Sequence, residues 1–122
     1  METKKILLVD DEKEFLSFLK ETLEARGFEV VAVNNSVECG MELATGPPAL
    51  ILMDLKMPGI DGFQACEAIK RNPLTKNIPI IIVSGLSGEA EIKKASKLGV
   101  IDYFVKPVDI EKLIGKIKET LG

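Results

Sequence analysis

Four apolar runs in this chain end on side chains able to do chemistry. ILLVDDEKE, residues 6–14, carries a strand-like run straight into Asp10 and Asp11. ALILM (49–53) closes on Asp54, IPIIIV (78–83) on Ser84, and DYFV (102–105) on Lys106 and Pro107. Any one of these polar residues alone reads as a solvated strand end. Together they are three carboxylates, a hydroxyl and an ammonium. Adjacent carboxylates at the end of a buried strand raise each other's pKa unless a cation neutralises them. The sequence holds no histidine and only two cysteines, Cys39 and Cys66. The ligands on offer are therefore oxygens, which suit Mg²⁺, with Mn²⁺ as the alternative. A metal, a lysine and a serine around one further carboxylate form a phosphoryl-binding arrangement, because phosphoryl transfer needs in-line placement and positive charge on the equatorial oxygens. The metal would take one oxygen, Lys106 the second, and Ser84 Oγ with nearby N–H groups the third. Asp54 would then be the nucleophile, forming an acyl phosphate.

The elements that must position these residues follow from hydrophobic periodicity. Residues 5–9 read as a strand. Residues 12–26 read as a helix with Phe15, Leu16, Leu19 and Leu23 on one face, stopped by Gly27. FEVVAV (28–33) is the second strand. Ser36 is expected to cap a short helix carrying Val37, Met41 and Ala44, which ends at Gly46-Pro47-Pro48. The third strand is 49–53. Asp61 is expected to cap the next helix, with Phe63, Cys66 and Ile69 inward. NPLTKN is a loop and 78–83 the fourth strand. Ser87 is expected to cap a helix running to about Leu98 with a weak apolar face. Residues 102–105 form a short fifth strand. Asp109 is expected to cap a last helix with Ile110, Leu113, Ile114, Ile117 and Leu121 on one side. Five βα units with near-continuous apolar strands imply an α/β fold, a doubly wound parallel sheet covered on both faces. In such sheets the ligand site lies at the C-terminal strand ends, where all the polar residues above sit.

The bulk numbers exclude several classes of function. The 122 residues fit one domain, residues 1–122, with 46% hydrophobic residues for a single core. With a net charge of −3 and mixed signs, nothing marks the whole chain as a nucleic-acid or membrane-surface binder, which leaves room for local basic patches. No apolar run approaches the roughly 18 residues of a membrane span, and METKK lacks a signal peptide's apolar stretch, so a cytoplasmic protein is expected. The cysteines read as structural thiols. The absence of histidine removes serine–histidine triads, the common zinc sites and the usual general base.

VDDE (9–12), MDLKMPGIDG (53–62), VSG (83–85) and DYFVKP (102–107) resemble the signature stretches of bacterial two-component response-regulator receiver domains. The resemblance runs from Lys4 to about Leu121, with the motifs in the family's order. It implies a flavodoxin-like (βα)5 three-layer sandwich with strand order 2-1-3-4-5. It implies Asp54 as phosphoacceptor, Asp11 as direct metal ligand, Asp10 acting through water, and the backbone carbonyl of Lys56 as the third protein ligand of Mg²⁺. It also implies Ser84 as the switch hydroxyl, Lys106 as the phosphoryl-pairing lysine, a cis peptide before Pro107, and Tyr103 as the aromatic switch. Asp61-Gly62 closes the loop after the phosphoacceptor, and Pro58-Gly59 reads as a turn. Implied partners are a histidine kinase or histidine phosphotransfer protein, and a downstream protein target or an output domain. A homodimer through the last two helices is a further option. Neither nucleic acid nor membrane is an expected direct partner.

On this reading the domain is a signalling switch, not an enzyme, catalysing only its own phosphorylation and dephosphorylation. Leu86 cannot hydrogen-bond an attacking water and Lys56 cannot act as a carboxylate base, so a long-lived phospho-Asp54 is expected. Tyr103 alone would read as a half-buried strand aromatic, and the charges of EAEIKKASK (89–97) as a solvated helix face. Three rivals remain. A Mg²⁺-dependent phosphatase with an aspartyl nucleophile would usually carry Asp-x-Asp and a cap domain. An FMN carrier would need a phosphate loop where VDDE stands. A scaffold receiver would not be phosphorylated, against which the intact residue set argues.

Overall fold

The computed structural model describes residues 4–57 and 59–122. Its strands are β1 (Lys5–Val9), β2 (Glu29–Val33), β3 (Leu50–Met53), β4 (Ile80–Ser84) and β5 (Asp102–Val105). They form one parallel sheet in the order β2-β1-β3-β4-β5. The helices are α1 (Lys13–Ala25), α2 (Ser36–Thr45), α3 (Gly62–Arg71), α4 (Glu89–Lys97) and α5 (Ile110–Leu121). This is the flavodoxin-like α/β architecture.

Successive strand residues point to opposite faces of the sheet, so the apolar strands build two cores. Ile6, Leu8, Leu50, Leu52, Ile81 and Val83 pack with Leu16, Leu19 and Leu23 of α1 and Leu113, Ile114 and Ile117 of α5. Leu7, Val9, Ile51, Met53, Ile80 and Ile82 pack on the other face with Cys39 of α2, Cys66 and Ile69 of α3 and Ala95 of α4. Both thiols are buried and unpaired.

Register brings the strand ends together. Val9 lies opposite Met53, and Ser84 opposite Val105. Asp54 N donates to Val9 O at 2.9 Å, and Lys106 N to Ser84 O at 2.8 Å. Asp10, Asp54 and Lys106 each leave the sheet one residue beyond these pairs.

Several local expectations shift. Strands two to four start at Glu29, Leu50 and Ile80, and the fourth extends to Ser84. Asn35, not Ser36, caps α2, accepting from Glu38 N at 2.9 Å; an amide oxygen one residue earlier takes the role. Gly88, not Ser87, precedes α4 and offers no side-chain cap; Glu89 and Glu91 put negative charge at that helix start. The α2 face carrying Val37, Met41 and Ala44 is the exposed one, with Val37 70% and Met41 61% accessible, while Cys39 is buried and Leu43 partly buried. Both stripes are apolar, and the sheet chooses between them. Asp61 and Asp109 cap as expected, accepting from Phe63 N at 2.9 Å and Lys112 N at 3.2 Å. Gly27 stops α1 at φ +94°.

A short antiparallel pairing of Lys56–Met57 with Ile60–Asp61 follows β3 outside the sheet. Gly59 has φ +73°, which suits the expected turn; Pro58 lies outside the described residues.

Candidate phosphoacceptor site

The buried end of β1 holds the first acid. Asp10 is 1% exposed, and its Oδ1 accepts from Glu12 N at 3.0 Å. This Asx-type turn leads the chain into α1 and brings Glu12 back over the strand end. Asp54, 5% exposed, accepts from Lys56 N at 3.2 Å through Oδ1. Lys106 reaches the same place from β5. Its Nζ donates to Asp10 Oδ2 at 2.7 Å, to Glu12 Oε1 at 2.7 Å and to Asp54 Oδ2 at 3.3 Å. The ammonium also stands 4.5 Å from the centroid of the Phe15 ring. The Lys106-Pro107 peptide is cis, as the resemblance implies.

Strand alternation accounts for this company. Asp10 continues the parity of Ile6 and Leu8, Asp54 that of Leu50 and Leu52, and Lys106 that of Phe104. All three belong to the α1/α5 side of the sheet.

Electrostatics follow from burial and pairing. Burial pushes the Asp10 carboxyl upward, against the hydrogen bonds from Lys106 and Glu12 N. Burial by itself pulls the Lys106 ammonium down, but its bonds to Asp10 and Glu12 outweigh this, and the net shift is upward. We hold Lys106 to be protonated, because three carboxylate oxygens face one ammonium.

Asp10, Glu12 and Asp54 can bring one carboxylate oxygen each within 4.8 Å of one another. This all-oxygen group is compatible with Mg²⁺. Glu12 joins Asp10 and Asp54 in this group, while Asp11 lies half-buried in the bend after β1. Sequence reading passed over Glu12 as the start of a helix. The signal available was its place two residues after a strand-end Asp, where an Asx turn folds it back.

A cleft of about 270 Å³ opens on Asp54, lined by Glu12, Lys56, Gly85 and Leu86. Lys56 is thus at the site, at the start of the short antiparallel pairing. Gly62 packs against the backbone of the Asp54 loop. A Cβ there would lie 2.5 Å from Leu55 Cα and 2.7 Å from Asp54 O, so glycine alone allows α3 this close to the Asp54 loop.

Ser84 and Tyr103 belong to the other face. Ser84 is fully buried, and its Oγ accepts from Leu86 N at 3.2 Å. The Tyr103 hydroxyl donates to Leu86 O. The two residues are therefore tied to the same backbone unit, one at its N–H and one at its C=O. Burial pushes the Tyr103 phenol upward.

Comparison with known proteins places the chain in context. Residues 6–118 match the model of the response regulator receiver domain family. Protein PilH of Pseudomonas aeruginosa is 36% identical over 119 residues, covering 97% of this chain and 98% of PilH. The phosphate regulon transcriptional regulatory protein PhoB of Rhizobium meliloti is 32% identical over 96% of this chain, which spans 52% of PhoB. Response regulator PleD of Caulobacter vibrioides is matched over 25% of its length. The crystal structure of a response regulator receiver protein from Pseudomonas putida superposes with a TM-score of 0.92 at 28% identity, covering 98% of both chains.

Proposed function

The chain belongs to the response regulator receiver family, and from that premise we propose that Asp54 is its phosphoacceptor, with Lys106 and Ser84 completing the phosphoryl site. The observation that carries this reading is the buried Asp54 carboxylate, 3.3 Å from the Lys106 ammonium and open to a cleft at Gly85. An Asp54 oxygen attacks phosphorus in line. The P–N bond to the donor histidine breaks, and its electron pair leaves with the imidazole. Lys106 pairs with one equatorial oxygen as charge builds. Gly85 leaves the approach free of a side chain. Ser84 Oγ turns from Leu86 N to donate to a second phosphoryl oxygen. That exchange loosens Leu86, and Tyr103, bonded to the same residue, moves with it. Both arrangements pre-exist, and phosphorylation shifts their populations.

Asp11, Asp54 and the Lys56 carbonyl would hold Mg²⁺, with Asp10 acting through water; Glu12 adds a further carboxylate nearby. The metal supplies charge neutralisation for the acids and for the incoming phosphoryl group. Donors are a histidine kinase or a histidine phosphotransfer protein. The modified surface of α4, β5 and α5 changes affinity for a downstream protein or an output domain. The chemistry is confined to the domain's own phosphorylation and dephosphorylation, within a single receiver domain over residues 1–122. Among the described residues no helix is long and apolar enough to cross a membrane.

The test is intact-mass measurement after incubation with acetyl phosphate, with and without Mg²⁺, on wild type and Asp54→Asn. A Mg²⁺-dependent gain of one phosphoryl group, absent from the variant, is expected. If Asp54→Asn gained the group equally, the assignment would be wrong.

A further inference from the structure

Lys106 is gripped from the α1 side by two residues outside the expected site, Glu12 and Phe15. An ammonium has three N–H donors. All three have a carboxylate within reach, on Asp10, Glu12 and Asp54. A phosphoryl oxygen on Asp54 must therefore take a donor from one of them. The side chains of Asp10 and Asp54 are 2% and 5% exposed, whereas that of Glu12 is 59% exposed. The Asp54 bond, the longest of the three, passes to the phosphoryl group that Asp54 then carries. For a second donor to this dianion, freeing Asp10 would leave a buried charge unpaired, which is costly; freeing Glu12 returns a carboxylate to water. Phe15 differs in kind. Its ring face attracts the ammonium without using an N–H, so it holds Lys106 through the exchange.

We infer that Glu12 and Phe15 are positioning residues for Lys106. Glu12 is the exchangeable partner that competes with the phosphoryl group for the ammonium. Phe15 is the permanent wall that keeps the ammonium over the site. Glu12 therefore restrains phosphorylation and Phe15 promotes it. The same two side chains, with Phe18, Pro107, Val108 and Ile110, line a cleft of about 560 Å³ that also includes Lys106 and Gly85. Events in that cleft thus bear directly on the lysine.

This inference rests on Asp54 being the phosphoacceptor. The experiment measures phosphorylation from acetyl phosphate by intact mass at saturating Mg²⁺; the Asp54 O–P bond forms as the donor's P–O bond breaks and acetate leaves. Glu12→Gln is expected to react roughly two- to fivefold faster, and Phe15→Leu slower by a similar factor of roughly two to five. Both effects should vanish in a Lys106→Met background, as for residues acting through one group. In parallel, Lys106 side-chain NMR resonances should shift in Glu12→Gln and lose the aromatic ring-current displacement in Phe15→Leu, a readout that needs no turnover and no Lys106 variant. A Glu12→Gln effect undiminished by Lys106→Met, or unmoved Lys106 resonances, would overturn the positioning role while leaving Asp54 in place. A wild type accepting no phosphoryl group from acetyl phosphate or from a phosphohistidine protein would overturn the phosphoacceptor reading, and this inference with it.

Discussion

Lys106 lies closer to Asp10, at 2.7 Å, than to Asp54, at 3.3 Å. The lysine thus serves the acid of β1 before any phosphoryl group arrives. The repulsion implicit in a strand ending on acids is relieved here by a cation from the chain itself. A divalent ion would relieve it a second time.

Removing that cation should therefore destabilise the fold. Lys106→Met keeps much of the apolar stem but leaves Asp10 buried without its partner. A loss of about 3 kcal/mol is expected in metal-free buffer, the scale for breaking a buried pair. Millimolar Mg²⁺ should restore part of it. Urea denaturation with and without Mg²⁺ checks both statements.

Gly62 should tolerate no larger residue. A methyl group would overlap the backbone of Leu55 and the Asp54 carbonyl, neither of which can swing away. Gly62→Ala is expected to cost about 1–3 kcal/mol, as overpacking does, and to slow phosphoryl acceptance by displacing Asp54. Denaturation midpoints and acetyl phosphate labelling provide the two readouts.

The lifetime of the phosphorylated form should depend on Leu86. It lines the cleft above Asp54 and offers an attacking water no acceptor from its side chain. Leu86→Glu supplies a carboxylate there. Dephosphorylation should accelerate on the order of tenfold or more, within the range of a positioned base. Decay of the phosphorylated mass with time measures it; an unchanged rate would count against Leu86 controlling water access.

Tyr103 should couple β5 to the Asp54 cleft through one bond. Tyr103→Phe deletes the donor to Leu86 O and is expected to cost about 1 kcal/mol. It should also reduce the difference in partner affinity between the phosphorylated and unphosphorylated forms, measured by titration calorimetry against a bound target protein.

Stability should fall on the alkaline side. Burial pushes the Cys66 thiol from 9.0 up to about 12, and Tyr103 and Lys106 are also raised. A group whose folded pKa exceeds its unfolded value contributes fully below the unfolded pKa and loses that contribution as pH rises through the folded one. For Cys66 the loss runs from about pH 9 to pH 12. Cys66→Ala should flatten that limb in thermal melts, whatever its effect at neutral pH. In the native wild type, Cys66 should resist alkylation at pH 8 until the protein unfolds.

Much of the molecule is legible in its sequence. Near-continuous apolar runs alternating with amphipathic stretches permit little besides a covered parallel sheet. In such a sheet, residues that end strands share an edge, so the common placement of Asp10, Asp54, Ser84 and Lys106 was legible from position alone. Caps at Asp61 and Asp109 and the stop at Gly27 are local chemistry, written in one or two residues. What needed the tertiary structure was every choice between locally equal options. Cys39 and Leu43 or Val37 and Met41 could each have faced inward from α2, because both stripes are apolar. Which acid near the β1 turn would meet Lys106 was likewise open, because Asp11 and Glu12 are neighbours of like charge. Glu12 is the one that meets Lys106, a residue 94 positions away. Sequence periodicity carries the identity and phase of elements, since these depend on neighbours along the chain. It does not carry which of two like side chains meets a distant partner, since that depends on how the sheet and helices pack in three dimensions.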